Sequence, residues 1–253
     1  MSNRASPLTS FAAALQFLTV IPPLVRRLFT DAELGASVAW FPLVGGLLGA
    51  VLALVDLSLR QILPVEVAAV LVLAAWVVLT GGLHLDGYLD SCDALFGGHT
   101  REARLEILRD ERVGAFAVAG GVLLVLLKFA ALAHLARPAE ALVLACVAGR
   151  WLMTLALLRY PYARAKGLGR TMKDHAGLHE GIRATLLMVI LVIAVDPAWG
   201  AIAMLVALVV GALVARLSNA RLGGLTGDSY GAVCELGEAA VLVAWSACEK
   251  WGT

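Results

Sequence analysis

Charge is what this sequence has least of. Asp, Glu, Lys and Arg make up 15% of its 253 residues, against about 25% in soluble domains. Neither sign predominates, and the net charge of +1 points to no partner by itself; no nucleic acid is expected. Cysteine is scarce as well. Cys92, Cys146, Cys234 and Cys248 form no C-x-x-C pair, which argues against a disulfide framework or a zinc site. They read as small apolar residues in a reducing setting. A convincing cleavable leader is also missing: the first apolar stretch holds Gln16 and two threonines and ends at Pro22-Pro23 without a small-residue cleavage site.

Long apolar runs are plentiful. The chain is 60% hydrophobic with a mean hydropathy of +0.86, and runs of membrane-spanning length outnumber short alternating ones. This predicts one integral membrane domain over 1–253, an all-α polytopic helical bundle. Seven spans read out, at roughly Ser37–Leu59, Val65–Leu85, Val113–Leu135, Ala141–Leu158, Ile182–Val195, Trp199–Ala215 and Ala232–Ala247. Before them, Ser6 to Val25 has basic residues at both ends (Arg4, then Arg26 and Arg27) and reads as an interfacial or re-entrant segment. Gly45, Gly46, Gly49, Gly120 and Gly121 allow close helix packing.

Basic residues alternate between the segments. Fifteen fall in one set, including Arg101, Arg104, Arg109, Arg112, Arg164 and Lys166, and three in the other, Arg60, Arg137 and Lys250; Lys128 and Arg150 fall inside spans. The positive-inside rule puts the rich set in the cytoplasm.

The stretch Gly81-Gly82-Leu83-His84-Leu85-Asp86-Gly87-Tyr88-Leu89-Asp90-Ser91-Cys92-Asp93 lies on that side. Asp86, Asp90 and Asp93 are spaced i, i+4, i+7, one face of a helix. Carboxylates so close repel one another, and a hard cation such as Mg²⁺ or Mn²⁺ removes the repulsion. The competing reading is a solvated acidic helix start. Next, Thr100 can cap an amphipathic helix with Leu105 and Leu108 inward. Its Arg101 and Arg104 suit phosphate, or equally pair with the local glutamates. Asp110 either completes the carboxylate set or pairs with Arg109 or Arg112. The basic, aromatic loop Arg159–Arg170 either binds an anionic or planar substrate or anchors the bundle at lipid headgroups. Finally, Gly223-Gly224-Leu225-Thr226-Gly227-Asp228 combines glycines that admit a phosphate with a donor, Thr226, and a further ligand or base, Asp228. Glu235 and Glu238 follow inside the last span, with Lys128 and Arg150 as candidate counter-ions.

These motifs carry a resemblance. Phe17-Leu18-Thr19-Val20-Ile21-Pro22, Phe41-Pro42-Leu43-Val44-Gly45, Thr80 to Gly87 with Asp90 and Asp93, Leu105-Glu106-Ile107, Arg109-Asp110, Arg112-Val113-Gly114 and Gly223 to Asp228 are similar to the adenosylcobinamide-GDP ribazoletransferases along nearly the whole chain. The resemblance implies a Mg²⁺-dependent transfer in the inner membrane of a bacterium, on its cytoplasmic face. Adenosylcobinamide-GDP and α-ribazole, or its 5′-phosphate, would give adenosylcobalamin, or its 5′-phosphate, and GMP. Asp86, Asp90, Asp93 and Asp228 would hold the metal and carry catalysis. Arg101, Arg104, Arg109, Thr226 and Gly227 would contact substrate. Membrane lipid is the expected surround, and a homo-oligomer is left open. Two alternatives stand beside this: a cation- or proton-coupled transporter built on the intramembrane acids, and a CDP-alcohol-type phosphotransferase, which Ser91-Cys92 disfavours because that pattern places Ala-Arg there.

Overall fold

The computed structural model describes residues 5–251; Arg4 lies outside them. The chain runs α1 (Pro7–Leu18), α2 (Asp31–Ser37), α3 (Phe41–Leu59), α4 (Val65–Leu79), α5 (Leu83–Gly97), α6 (Arg101–Ile107), α7 (Ala115–His134), α8 (Pro138–Arg159), α9 (Leu168–His175), α10 (Leu178–Val195), α11 (Pro197–Leu222) and α12 (Gly227–Trp251). Among the described residues there is no named strand, only one isolated bridge, Tyr162 to Leu225. The expected all-α bundle is what forms.

Among the described residues six helices are long and apolar enough to cross a membrane, with α2 running through a tight turn into α3 as one of them. The predicted span Val65–Leu85 is different. It ends at Leu79, not Leu85, and α5 leaves α4 at 92°. Gly81 and Gly82, with φ of 62° and 69°, make the corner, a conformation that glycine adopts without a Cβ penalty. The aspartates therefore sit on their own helix, which turns aside from the apolar run that precedes it. At the other end of the chain, α1 has 12 residues, about 18 Å of helix against a hydrocarbon core of about 30 Å. It is too short to cross, in keeping with the interfacial reading. Its continuation lies against α4, Val20 N donating to Leu79 O at 2.9 Å.

The core is α8, whose residues from Leu144 to Ala148 are fully buried. Small residues let its neighbours approach. A Cβ on Gly45 of α3 would collide with the Cys146 carbonyl, and one on Gly49 would stand 2.5 Å from Val143 Cα. On the other side, Gly149 of α8 faces Cys234 and Glu238 of α12, where a Cβ would stand 2.7 Å from Sγ and 3.0 Å from Cγ. In contrast α7, α10 and α11 expose apolar residues such as Leu123, Ile190 and Leu205, the outer wall expected of a lipid-facing bundle.

One crossing positions the aspartates. A Cβ on Gly87 would stand 2.9 Å from Asp228 Cα, and one on Gly231 would stand 2.7 Å from the His84 carbonyl and 3.2 Å from Gly87 Cα. Helices α5 and α12 thus meet backbone to backbone, glycine against glycine. Gly87→Ala and Gly231→Ala force the helices apart, and each should lower stability by about 1–3 kcal/mol. Thermal unfolding in detergent reads this; wild-type melting of both variants would contradict the crossing.

Candidate active site

The crossing gathers carboxylates from two distant parts of the sequence. Asp86 is exposed, while Asp90 and Asp228 are half-buried. Asp90 lies within electrostatic reach of Asp86, Asp93, Asp228 and Arg164. Asp86 and Asp90 have no hydrogen bond or ion pair among the described residues, so their oxygens are free for a ligand. The other two are engaged. Asp93 Oδ2 accepts from Gly114 N at 2.6 Å and Oδ1 from Ala117 N at 2.9 Å, which caps the N-terminus of α7. Asp228 Oδ2 accepts from Arg164 at 3.0 Å and from the Thr226 hydroxyl at 3.1 Å.

Several sequence expectations change here. Thr226 is fully buried; its Oγ1 accepts from Ser229 N at 3.3 Å and donates to Asp228. It orients the carboxylate and starts α12, and its donor is not turned outward to an anion. Arg101 Nε donates to Leu222 O at 2.8 Å and Arg104 to Arg221 O at 3.4 Å. Both arginines strap α6 to the C-terminus of α11, where orphan carbonyls and the helix dipole favour cations. Neither bonds to Asp86, Asp90 or Asp228. Thr100 does cap α6, accepting from Ala103 N at 3.2 Å, and Leu108 is buried beneath it. Asp110 stays out of the cluster. Arg112 grips it at 2.6 Å and holds its carboxyl down to about 2.

The cations that reach the site are others. Arg109, Arg164 and Lys166 line one recess, and Arg164 connects it to Asp228. Arg164 owes its place to a zipper between loops: Ala163 N donates to Leu225 O, and Leu225 N to Pro161 O, both at 2.8 Å. Gly224, at φ 153°, leaves room for this, since a Cβ there would stand 2.8 Å from the Ala163 nitrogen. The signal for Arg164 was its basic, aromatic, glycine-bearing loop, which by itself reads equally well as a membrane anchor. His84 and Tyr230 were not singled out either. Both are buried and line a cavity of about 270 Å³ that Asp86, Gly227 and Asp228 border.

Beneath the carboxylates lies a closed charge network. Lys128 Nζ of α7 sits 2.5 Å from both Glu235 and Glu238 of α12, and Arg150 of α8 grips Glu238 as well. All four are buried. Two cations meet two anions, so the charge cancels inside the bundle, as the sequence reading of Lys128 and Arg150 allowed.

No three His, Cys, Asp or Glu side chains converge on a common metal position among the described residues. Mg²⁺ does not require this. It keeps several waters and is held by one or two carboxylates together with substrate phosphates. The free pair Asp86 and Asp90 fits that demand in donor chemistry.

The cobalamin-5-phosphate synthase family profile matches residues 10–246. The chain belongs to this family. Its curated relatives include the adenosylcobinamide-GDP ribazoletransferases of Ectopseudomonas mendocina, 42% identical over 91% of this chain and 96% of the relative, Desulforamulus reducens, 39% identical over 92% and 94%, and Roseiflexus sp., 35% identical over 95% and 90%. No solved structure matches. The chain is thus a multi-pass membrane transferase acting on small molecules. Cobalamin-5-phosphate synthase membership, with Glu235 and Glu238 neutralised, sets the transport alternative aside, and the CDP-alcohol alternative with it.

Lys128→Met leaves two buried glutamates facing one arginine, which should cost about 3–5 kcal/mol. Adding Glu235→Gln to it should recover part of that loss. Melting temperatures of the two variants check this, and a fully stable Lys128→Met protein would refute the network's role.

Proposed function

We propose that this chain joins adenosylcobinamide-GDP to α-ribazole, or to its 5′-phosphate, and releases GMP. The observation that carries the reading is the α5–α12 crossing. It sets free carboxylates (Asp86, Asp90) and an oriented one (Asp228) beside a cationic recess, in a chain that aligns nearly end to end with ribazoletransferases. A diphosphate donor needs both signs of charge: cations for its oxygens, and acids for a cation that masks its charge.

Arg109, Arg164 and Lys166 bind phosphate oxygens of the donor. Asp86 and Asp90 would hold Mg²⁺, with Asp228 as a further ligand or as the base, and the ion would supply charge neutralisation on the diphosphate. The acceptor's ribose 3′-hydroxyl attacks the phosphorus on the cobinamide side. The new P–O bond forms as the bond to GMP breaks, in line. The hydroxyl's proton passes to a site carboxylate, and Asp228 is placed for this by Thr226 and Arg164. Asp93 acts at one remove, by fixing α7 against α5.

The mouth of this site is the end of the bundle where the basic-rich segments gather, so we place it on the cytoplasmic face of a bacterial inner membrane, with lipid around the apolar outer helices.

The test is GMP release by the purified protein in lipid, with and without Mg²⁺. Release should depend on Mg²⁺ and accompany a new cobalamin species. Asp86→Asn and Asp90→Asn should each lower turnover by about 10²–10³-fold with melting temperature unchanged. Mg²⁺-independent release, or full turnover by Asp86→Asn, would overturn the metal assignment.

A further inference from the structure

Beside the carboxylates lies the cavity of about 270 Å³, just below the range of about 300–1,000 Å³ that holds drug-sized ligands. Its walls are apolar and aromatic. Phe17 and Phe41, stacked with centroids 6.0 Å apart, line it, as do Tyr162 and Tyr230, 6.3 Å apart and tilted by 30°. Met172 and Leu157 are among the aliphatic residues of the wall. Asp86, Arg164 and Asp228 stand at its polar margin.

Two polar atoms break the apolar part of this lining, and at its polar margin Arg164 Nε is likewise buried without a partner among the described residues. His84 is 2% exposed and Tyr230 is 5% exposed, and His84 Nε2 and Tyr230 Oη have no hydrogen-bond partner among the described residues. The state of His84 follows from its other nitrogen. Arg150 stands 3.4 Å from Nδ1. A guanidinium can only donate, so Nδ1 accepts, and in the neutral ring the hydrogen is on Nε2. His84 Nε2 and Tyr230 Oη are therefore both donors, and a buried donor without an acceptor is costly.

The occupant must be small, flat and mostly apolar, with an acceptor or two, and must end at the carboxylates. A corrin ring is too large for this volume. Guanine fits by size, but its donors would need the carboxylates at the margin, Asp86 and Asp228, which the reaction proposed above gives to the metal and to the attacking hydroxyl. A benzimidazole-type base fits. It is bicyclic and apolar, and its unsubstituted ring nitrogen is an acceptor. Its sugar would emerge toward Asp86 and Asp228, where the attacking hydroxyl is needed.

We propose that this cavity is the acceptor subsite: it seats the base of the incoming nucleoside between the two aromatic pairs, with His84 and Tyr230 as donors to its ring nitrogen and sugar oxygens. The assignment rests on the reaction proposed above, so binding and turnover are measured separately. Binding is read by equilibrium titration of α-ribazole alone, without donor nucleotide, into protein in nanodiscs. Wild-type protein should bind it. Tyr230→Phe removes one donor and should weaken binding roughly three- to tenfold. Gly227→Leu adds bulk at the cavity edge, where a Cβ meets nothing within 4 Å, and should abolish binding. In turnover both variants should raise the KM for α-ribazole and leave that for adenosylcobinamide-GDP unchanged.

Binding of α-ribazole that is equal in wild type and both variants would overturn the subsite while the reaction stands. A rise in the KM for the GDP donor alone would overturn it in favour of guanine. Binding that is lost in Gly227→Leu, with no GMP release by wild type, would uphold the subsite and overturn the reaction. Neither binding nor release by well-folded wild type would overturn both. Unchanged melting temperatures of the variants exclude misfolding as the cause of any loss.

Discussion

The contact between α5 and α12 is the constraint on which the site depends. Two helices seldom approach until their backbones touch, because side chains hold them roughly 8–10 Å apart. Gly87 and Gly231 remove that spacing at one point. The aspartates flanking Gly87 are then brought to Asp228, which lies more than 130 positions further along the chain. The glycine inside the first Asp motif and the glycine after the second are thus part of one joint. Each motif supplies both a carboxylate and the gap that lets the other carboxylate near.

The four-charge network makes that joint rigid. Isolated acids inside a bundle are costly, and a single lysine between two glutamates would leave a net negative charge. Arg150 balances it. Because Lys128, Arg150 and the two glutamates come from α7, α8 and α12, satisfying them ties three helices in fixed rotation. The same arginine approaches His84 on α5, so the fourth helix is registered to the network too. The mouth of the site is open and charged; its floor is closed and neutral.

Much of this was legible in the residues. Hydropathy located the membrane helices because burial in lipid demands long apolar runs. The alternation of basic segments is mirrored in the fold, where the Asp motif, the Arg159–Arg170 loop and the Gly223–Asp228 loop meet at one end. The i, i+4, i+7 spacing put Asp86, Asp90 and Asp93 on one helix, but spacing cannot say which members of a face point at a ligand and which at a neighbouring helix. Asp93 caps α7 for that reason. Arg101 and Arg104 misled similarly: a guanidinium that suits phosphate also suits the carbonyls at a helix end. Arg164, His84 and Tyr230 escaped selection because their roles arise from contacts across the chain. The 92° corner was hidden as well, since an apolar run reads as continuous until positive-φ glycines break it.

The bridge between Tyr162 and Leu225 has one more consequence. It joins positions 63 apart in the chain (225 minus 162), and the segment between them contains α9, α10 and α11. The ends of that segment are already held by α8 and α12, which pack on each other. The entropy of bringing the ends together is therefore met by helix packing, and it grows only as the logarithm of length, about 0.6 kcal/mol per doubling. The α10–α11 hairpin is also less buried than α8 or α12. In polymer terms it is a long side-loop hung from a closed ring. The segment is held at its ends, and its lipid-facing sequence can change at small thermodynamic cost.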